Sequence, residues 1–249
     1  MHRFYVETPI ADAGVTVTLS AEESAHAARV LRLRPGEEVR LLDDENLWEA
    51  VLESVDPKET TAKVTAQCPS PEAPAQAVLF QGLPKADKLE LIAQKGTELG
   101  MWELWPVEME RSVAKADKAD KADKKRERLS RIALEAAKQS GRAHVPEIAS
   151  TISFDKALNR LDEFDLVLVA WEEEHSLPMS HAVDKYTTAH GAPRRVMIVI
   201  GPEGGISQRE WEQLKEHGTV AVTLGRRILR TETAGLCALS VLWTALGEM

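Results

Sequence analysis

From residue 77 onward, short runs of buried-type residues alternate with longer stretches of helical spacing. The apolar runs are Ala77-Val78-Leu79-Phe80, 104–106, 165–170, Val196-Met197-Ile198-Val199-Ile200 and 219–224. Between them, stretches such as 85–99 repeat apolar residues every three or four positions. Strands joined through helices cannot pair as hairpins, so this rhythm predicts an α/β domain over 77–249 with a mainly parallel sheet.

Residues 1–70 follow a different pattern. Alternating stretches at 14–19, 38–42 and 48–52, with a Thr- and Val-rich run at 58–66, predict short strands. Ser20-Ala21-Glu22-Glu23 has the form of a capping box opening a helix through Leu31, and Arg34-Pro35-Gly36 makes a turn. Short strands around one helix predict a small β-barrel over 1–70. Prolines at 69, 71 and 74 mark the join, with 71–76 as the linker.

Charge and cysteine usage narrow the function classes. A formal charge of −9 and a pI near 5.4 exclude a protein that coats nucleic acid through bulk charge. The excess is uneven: residues 1–70 are acidic, whereas 85–145 carry a surplus of Lys and Arg, so a polyanion is expected near the second domain. Cys68 and Cys237 are too far apart for a metal knuckle, and His26, His175 and His181 show no ligand spacing, so no metal is expected. No apolar run is long enough to span a membrane, and Met1-His2-Arg3-Phe4-Tyr5-Val6-Glu7 lacks a signal-peptide core. A cytoplasmic location is expected. The tripled Lys-Ala-Asp run over 115–123 reads as a solvated helical insert, with Asp117 and Asp120 four residues from Lys121 and Lys124.

Candidate chemistry lies near the C-terminus. The strand at 196–200 runs directly into Gly201-Pro202-Glu203-Gly204-Gly205, and Ser207-Gln208-Arg209-Glu210 then opens a helix as a capping box. Ligands of α/β proteins bind at such carboxyl strand ends, where glycine lets backbone approach closely. The turn is neither G-x-G-x-x-G nor a P-loop, which removes the usual dinucleotide and nucleotide signatures. A second strand, 219–224, ends in Gly225-Arg226-Arg227-Ile228-Leu229-Arg230-Thr231-Glu232-Thr233-Ala234. Thr231 is placed to cap the final helix, and arginines at this corner suit an anion or an electron-rich substrate.

These two corners together resemble the SPOUT class of S-adenosylmethionine-dependent RNA methyltransferases, and within it the enzymes that methylate N3 of one uridine in 16S rRNA. Lys95-Gly96-Thr97-Glu98-Leu99-Gly100 is similar to that group's K-x-x-E-L-G helix end, and Glu135-Ala136-Ala137 with Gln139, Arg142 and Val145-Pro146 to its E-A-x-x-Q-x-x-R and V-P segment. His26, Val30-Leu31-Arg32 and Gly36 resemble its start. The Lys-Ala-Asp run, the acidity and Leu129, where tryptophan is common, depart from the pattern.

The resemblance implies a PUA-like β-barrel followed by a SPOUT α/β domain with a trefoil knot, working as a homodimer on 16S rRNA or the assembled small ribosomal subunit. It implies that S-adenosyl-L-methionine is held by Ala170, Gly201, Pro202, Glu203, Gly204, Gly205, Leu224, Gly225, Ile228, Leu229, Arg230 and Thr231. Uracil N3 must lose its proton before it attacks, so Arg230 is the expected cation, and Glu232 or Glu203 the nearest carboxylate base. Lys95 and Glu98 are candidates for the uridine pocket, and Arg29, Arg32, Arg34 and Arg142 for RNA contact. Two other readings stay open: a SPOUT enzyme acting on another rRNA or tRNA position, including ribose 2′-OH, and a non-catalytic RNA-binding assembly factor.

Overall fold

The computed structural model describes residues 1–85, 87–115 and 119–249, with Ala119 in its backbone alone. The chain divides into two compact units, Met1–Glu72 with Leu134–Val145, and Ala73–Ala133 with Pro146–Met249. The first boundary lies close to the proline-rich join. The sequence pattern puts 134–145 in the second domain; the structure gives it to the first.

The first unit is built on β1 (His2–Tyr5), β2 (Thr16–Thr18), β3 (Glu38–Leu42), β4 (Leu47–Ser54) and β5 (Thr61–Gln67), in the order β1-β3-β4-β5-β2. Only β1 and β3 are parallel; the other ladders are antiparallel. Strand β1 escaped the sequence reading because His2-Arg3-Phe4-Tyr5 is short and contributes only Phe4 to the core. Phe4, Val39, Leu41, Trp48, Leu52 and Val64 fill that core, each worth about 1.5–3 kcal/mol by burial if it is of Val, Leu or Phe size.

Helix α1 (Ala21–Ala25) passes at once into a π-turn, His26–Val30. Ser20 Oγ accepts from Glu23 N, as half of a capping box, but Glu23 does not reach back. Its carboxylate instead accepts from Tyr5 N (3.3 Å) and Lys138 Nζ (2.8 Å). A long-range ion pair has replaced the local bond.

The second unit holds β6 (Gln76–Gly82), α2 (Lys88–Glu98), β7 (Met101–Glu108), α3 (Ala119–Ser140, whose last turns belong to the first unit), β8 (Glu147–Ile148), β9 (Ile152–Ser153) and α4 (Phe154–Leu158). It continues with β10 (Leu166–Ala170), α5 (Met179–His190), β11 (Arg195–Ile200), α6 (Gln208–Glu216), β12 (Val220–Val222) and α7 (Thr231–Leu246). Its sheet runs β12-β10-β11-β6-β7-β8, with β9 also on β7, and every ladder is parallel. Val78, Phe80, Val167, Val169, Met197 and Val199 pack on one face with Ile206 and Leu214. Helix α7 packs on α2 and α5. Its buried positions, Gly235, Ala238, Leu239, Leu242 and Trp243, follow helical spacing. The pairing expected for Asp117 lies outside the described residues; from Ala119 the run is helical. Among the described residues no helix is long and apolar enough to cross a membrane.

Candidate functional site

Strand β12 follows β11 in the chain yet pairs with β10 on its far side, so the loops after β10, β11 and β12 meet at one edge of the sheet. A cleft of about 560 Å³ opens there. Ala170, Gly201, Pro202, Glu203, Gly204, Gly205, Leu224, Gly225, Ile228, Leu229, Arg230 and Thr231, the whole set expected at a cofactor, line this single cleft. Lys88, Trp171, Glu172, Glu174, His175 and Thr223 line it too.

The glycine loop is shaped from both sides. Gly205 N donates to Pro202 O (2.9 Å), closing a turn in which Gly205 takes φ +72°, the left-handed region. A Cβ on Gly205 would run into the Glu172 carboxylate. A Cβ on Gly204 would lie 2.8 Å from Arg111 Cβ, and Arg111 Nη1 donates to Gly204 O (3.1 Å). Behind the loop, Ser207 and Glu210 form a complete capping box for α6. Glu210 also accepts from Glu110 N (2.7 Å). Sequence and structure agree on the capping box because its bonds are local.

Thr231 does not cap α7. The N-cap is Arg230, and Thr231 is the first helical residue. Its hydroxyl donates to Gly201 O (2.7 Å) and accepts from Gln81 Nε2 (2.8 Å), joining three segments.

Lys88 Nζ lies 2.9 Å from Glu203 and 3.0 Å from Glu232. The second contact is an ion pair without hydrogen-bond alignment, since Glu232 Oε2 finds no directed donor. Glu203 also accepts from Lys85 N (3.0 Å). Partial burial pushes the Glu203 carboxyl up, but the Lys85 and Lys88 hydrogen bonds outweigh it and hold the group below 4.5. Glu232 behaves alike: burial raises it, while its own N–H and Lys88 bring it below 4.5. The hydrogen bond to Glu203 and then the ion pair with Glu232 raise the Lys88 ammonium above 10.5. Both carboxylates are therefore ionised at neutral pH and weakly basic.

The cations are placed otherwise. Arg226, Arg227 and Arg230 are exposed, and among the described residues none forms an ion pair. Ile228, between them, is 92% exposed. The Glu172 carboxylate is likewise unpaired, whereas Glu174 is taken up by Ser176 and Leu177. Trp171 stacks on Trp211 with ring centroids 4.6 Å apart, which stiffens the loop after β10. The acidic run Glu172-Glu173-Glu174, straight after a predicted strand, was the available signal for this loop.

Other expected residues fall elsewhere. Lys95 and Glu98 pair with each other on α2 (2.8 Å) and do not line the cleft. Arg142, expected to face RNA, is instead buried in the first unit, where Nη2 meets Glu72 at 2.6 Å and Glu72 also accepts from Ala143 N. Arg29, Arg32 and Arg34 are exposed, and Arg32 holds φ +56°, a conformation costly for a side-chain-bearing residue. Among the described residues no group of three His, Cys, Asp or Glu is placed for a metal.

The RNA methyltransferase domain family matches residues 71–243, and the RNA methyltransferase PUA domain family residues 19–65. The chain is 37% identical to ribosomal RNA small subunit methyltransferase E of Bacillus subtilis (strain 168), over 97% of this chain and 96% of that one. It is 33% identical to the protein so named in Mycobacterium tuberculosis (strain CDC 1551 / Oshkosh), over 95% of this chain and 88% of that one. The crystal structure of a ribosomal RNA small subunit methyltransferase E from Neisseria gonorrhoeae bound to S-adenosyl methionine superposes with a TM-score of 0.83, at 30% identity over 98% of this chain and 97% of that one.

Proposed function

Because the chain belongs to the RNA methyltransferase family, among its ribosomal RNA small subunit methyltransferases E, we propose that it transfers a methyl group from S-adenosylmethionine to N3 of one uridine in 16S rRNA. The observation that carries this reading is the cleft itself: a glycine-rich backbone cradle and three arginines without ion-pair partners face the same space. Either the free rRNA or the assembled small subunit is the substrate.

The residues present fit the cofactor. Gly201, Gly204 and Gly205 present backbone where a Cβ would meet protein at 3 Å or closer. Glu172 has free acceptor oxygens for sugar hydroxyls, and the carboxylates of the cleft suit a cation. When bound, S-adenosylmethionine supplies an electrophilic methyl on a sulfonium.

The chain's own contribution is charge and position. N3 of uracil becomes nucleophilic as its proton leaves and negative charge spreads to the flanking carbonyls. Arg230, unpaired at the start of α7, offers forked donors to that charge. Glu232, held ionised on Lys88, orients this corner; its lowered basicity leaves proton removal to solvent at the open side of the cleft.

The finer architecture belongs to the same reading. The first unit acts as a PUA-like barrel presenting Arg29 and Arg32 to RNA phosphates, the loops of the second are threaded as a trefoil knot, and the protein works in the cytoplasm as a homodimer. Lys95 and Glu98 then serve the uridine side of the site.

The test is transfer of labelled methyl to small subunits from cells lacking this protein, read at nucleotide resolution. A single N3-methyluridine in 16S rRNA is expected. Label on another nucleotide or on ribose overturns the specificity. Absence of both label and cofactor binding, on subunits and free rRNA alike, overturns the enzyme.

A further inference from the structure

Two neighbouring residues of α7 hold two nearly neighbouring residues of the glycine loop. Thr231 holds Gly201 through its hydroxyl, and Glu232 meets Glu203 through Lys88. We propose that Lys88 is a positioning residue that locks the glycine loop to the first turn of α7, so that the cofactor-facing backbone and the Arg230 corner keep one geometry. The proposal rests on the methyltransferase reading for its functional consequence.

Lys88 is the first residue of α2, where the helix dipole disfavours a cation. Its placement therefore does not serve its own helix. The two carboxylates offset that cost from outside, one on the loop after β11 and one on α7. The side chains of Lys88, Glu203 and Glu232 are 28%, 24% and 13% exposed, so the cluster is partly shielded from solvent. Asp87, the N-cap of α2, and Glu90 in its first turn neighbour Lys88 in the chain, and the charge of Arg230 also favours the ionised form of Glu232. Glu203 also fixes Lys85 N, so the lock reaches back to the segment between β6 and α2.

Removing the ammonium leaves two ionised carboxylates facing each other, and their repulsion separates the loop from the helix. A lysine that only stabilised the fold would lower the melting temperature and leave ligand affinity of the folded protein unchanged.

The experiment compares wild type, Lys88→Met, Lys88→Arg, Glu203→Gln and the Lys88→Met/Glu203→Gln double variant. Binding of S-adenosylhomocysteine is measured by calorimetry, and hydrogen exchange of residues 201–206 and 231–234 is followed without ligand. Lys88→Met is expected to bind about tenfold more weakly, near 1.4 kcal/mol, and to exchange faster in both segments. Lys88→Arg, able to bridge both carboxylates, restores both readouts. The double variant binds no worse than Lys88→Met alone, because both changes break one connection. Binding by Lys88→Met within twofold of wild type with unchanged exchange overturns the lock, as do strictly additive losses. If Lys88→Met fails to fold, Glu203→Gln decides: faster exchange at 231–234 supports the lock, and wild-type exchange there overturns it. Failure of wild type to bind S-adenosylhomocysteine counts against the methyltransferase reading, while the exchange comparison still judges the lock.

Discussion

Thr231 Oγ1 sits between Gly201 O, 2.7 Å away, and Gln81 Nε2, 2.8 Å away, so one hydroxyl joins the start of α7 to β6 and to the glycine loop after β11. Thr231→Val keeps the shape and removes both bonds, leaving a buried amide and a carbonyl without this partner. The expected cost is about 1–3 kcal/mol. Thr231→Ser should recover most of it. Chemical denaturation checks the order wild type, serine, valine; equal stability of all three would remove this hydroxyl from the account.

Arg230 forms no ion pair among the described residues and stands at the N-cap of α7, where its carbonyl accepts from Thr233 N and Ala234 N. Arg230→Ala leaves that backbone role intact. Methyl transfer should fall by about 10²–10³, the loss typical of one donor to a developing oxyanion. Affinity for S-adenosylhomocysteine should stay within a few-fold of wild type. Near-normal turnover in this variant would end its catalytic assignment.

Gly205 combines φ +72° with a Cα facing the Glu172 carboxylate. Gly205→Ala meets both obstacles: alanine costs about 1–2 kcal/mol in the left-handed region, and Glu172 must leave its position. Weaker S-adenosylhomocysteine binding, by more than about tenfold, should accompany a modest fall in melting temperature. Calorimetry and a thermal melt separate the two, and unimpaired affinity would mean that this backbone does not face the ligand.

What was legible in the sequence was local. The run from Val196 to Glu210 carries its own strand, turn and helix start, because buried apolar residues, glycines and the Ser207–Glu210 capping box act within a few positions. The corner from Gly225 to Ala234 is local in the same sense, and the two loops sharpened each other as a pair. Lys88 was not legible. A lysine at the start of a helix gives no sign that its partners lie 115 and more residues away. Thr231 differs for a related reason, since a threonine at a helix start ordinarily caps it, and here its hydroxyl bonds the distant glycine loop and β6. Arg142 was misread in the same way.

Arg142 and Glu72 supply the pH-dependent case. Their side chains are 7% and 14% exposed and meet at 2.6 Å, with Ala143 N and His144 N also donating to the carboxylate. Burial alone would raise the Glu72 carboxyl, but Arg142 and the two amides outweigh it and hold the group below 4.5. The folded state therefore binds a proton at Glu72 less readily than the unfolded chain does. This stabilisation is fully present above 4.5 and is lost as pH falls through the lower folded value. Glu72→Gln removes the charge, keeps the size and leaves the Arg142 guanidinium without this counter-ion. At pH 7 the variant should be less stable by about 3–5 kcal/mol, as for one partner of a buried pair. Wild type and variant should converge only as pH falls through the lowered folded value, where the wild-type carboxyl takes up its own proton. Urea denaturation midpoints across this range read the difference directly. Parallel curves at every pH would show that the ionised carboxylate of Glu72 is not what anchors residues 134–145 in the first unit.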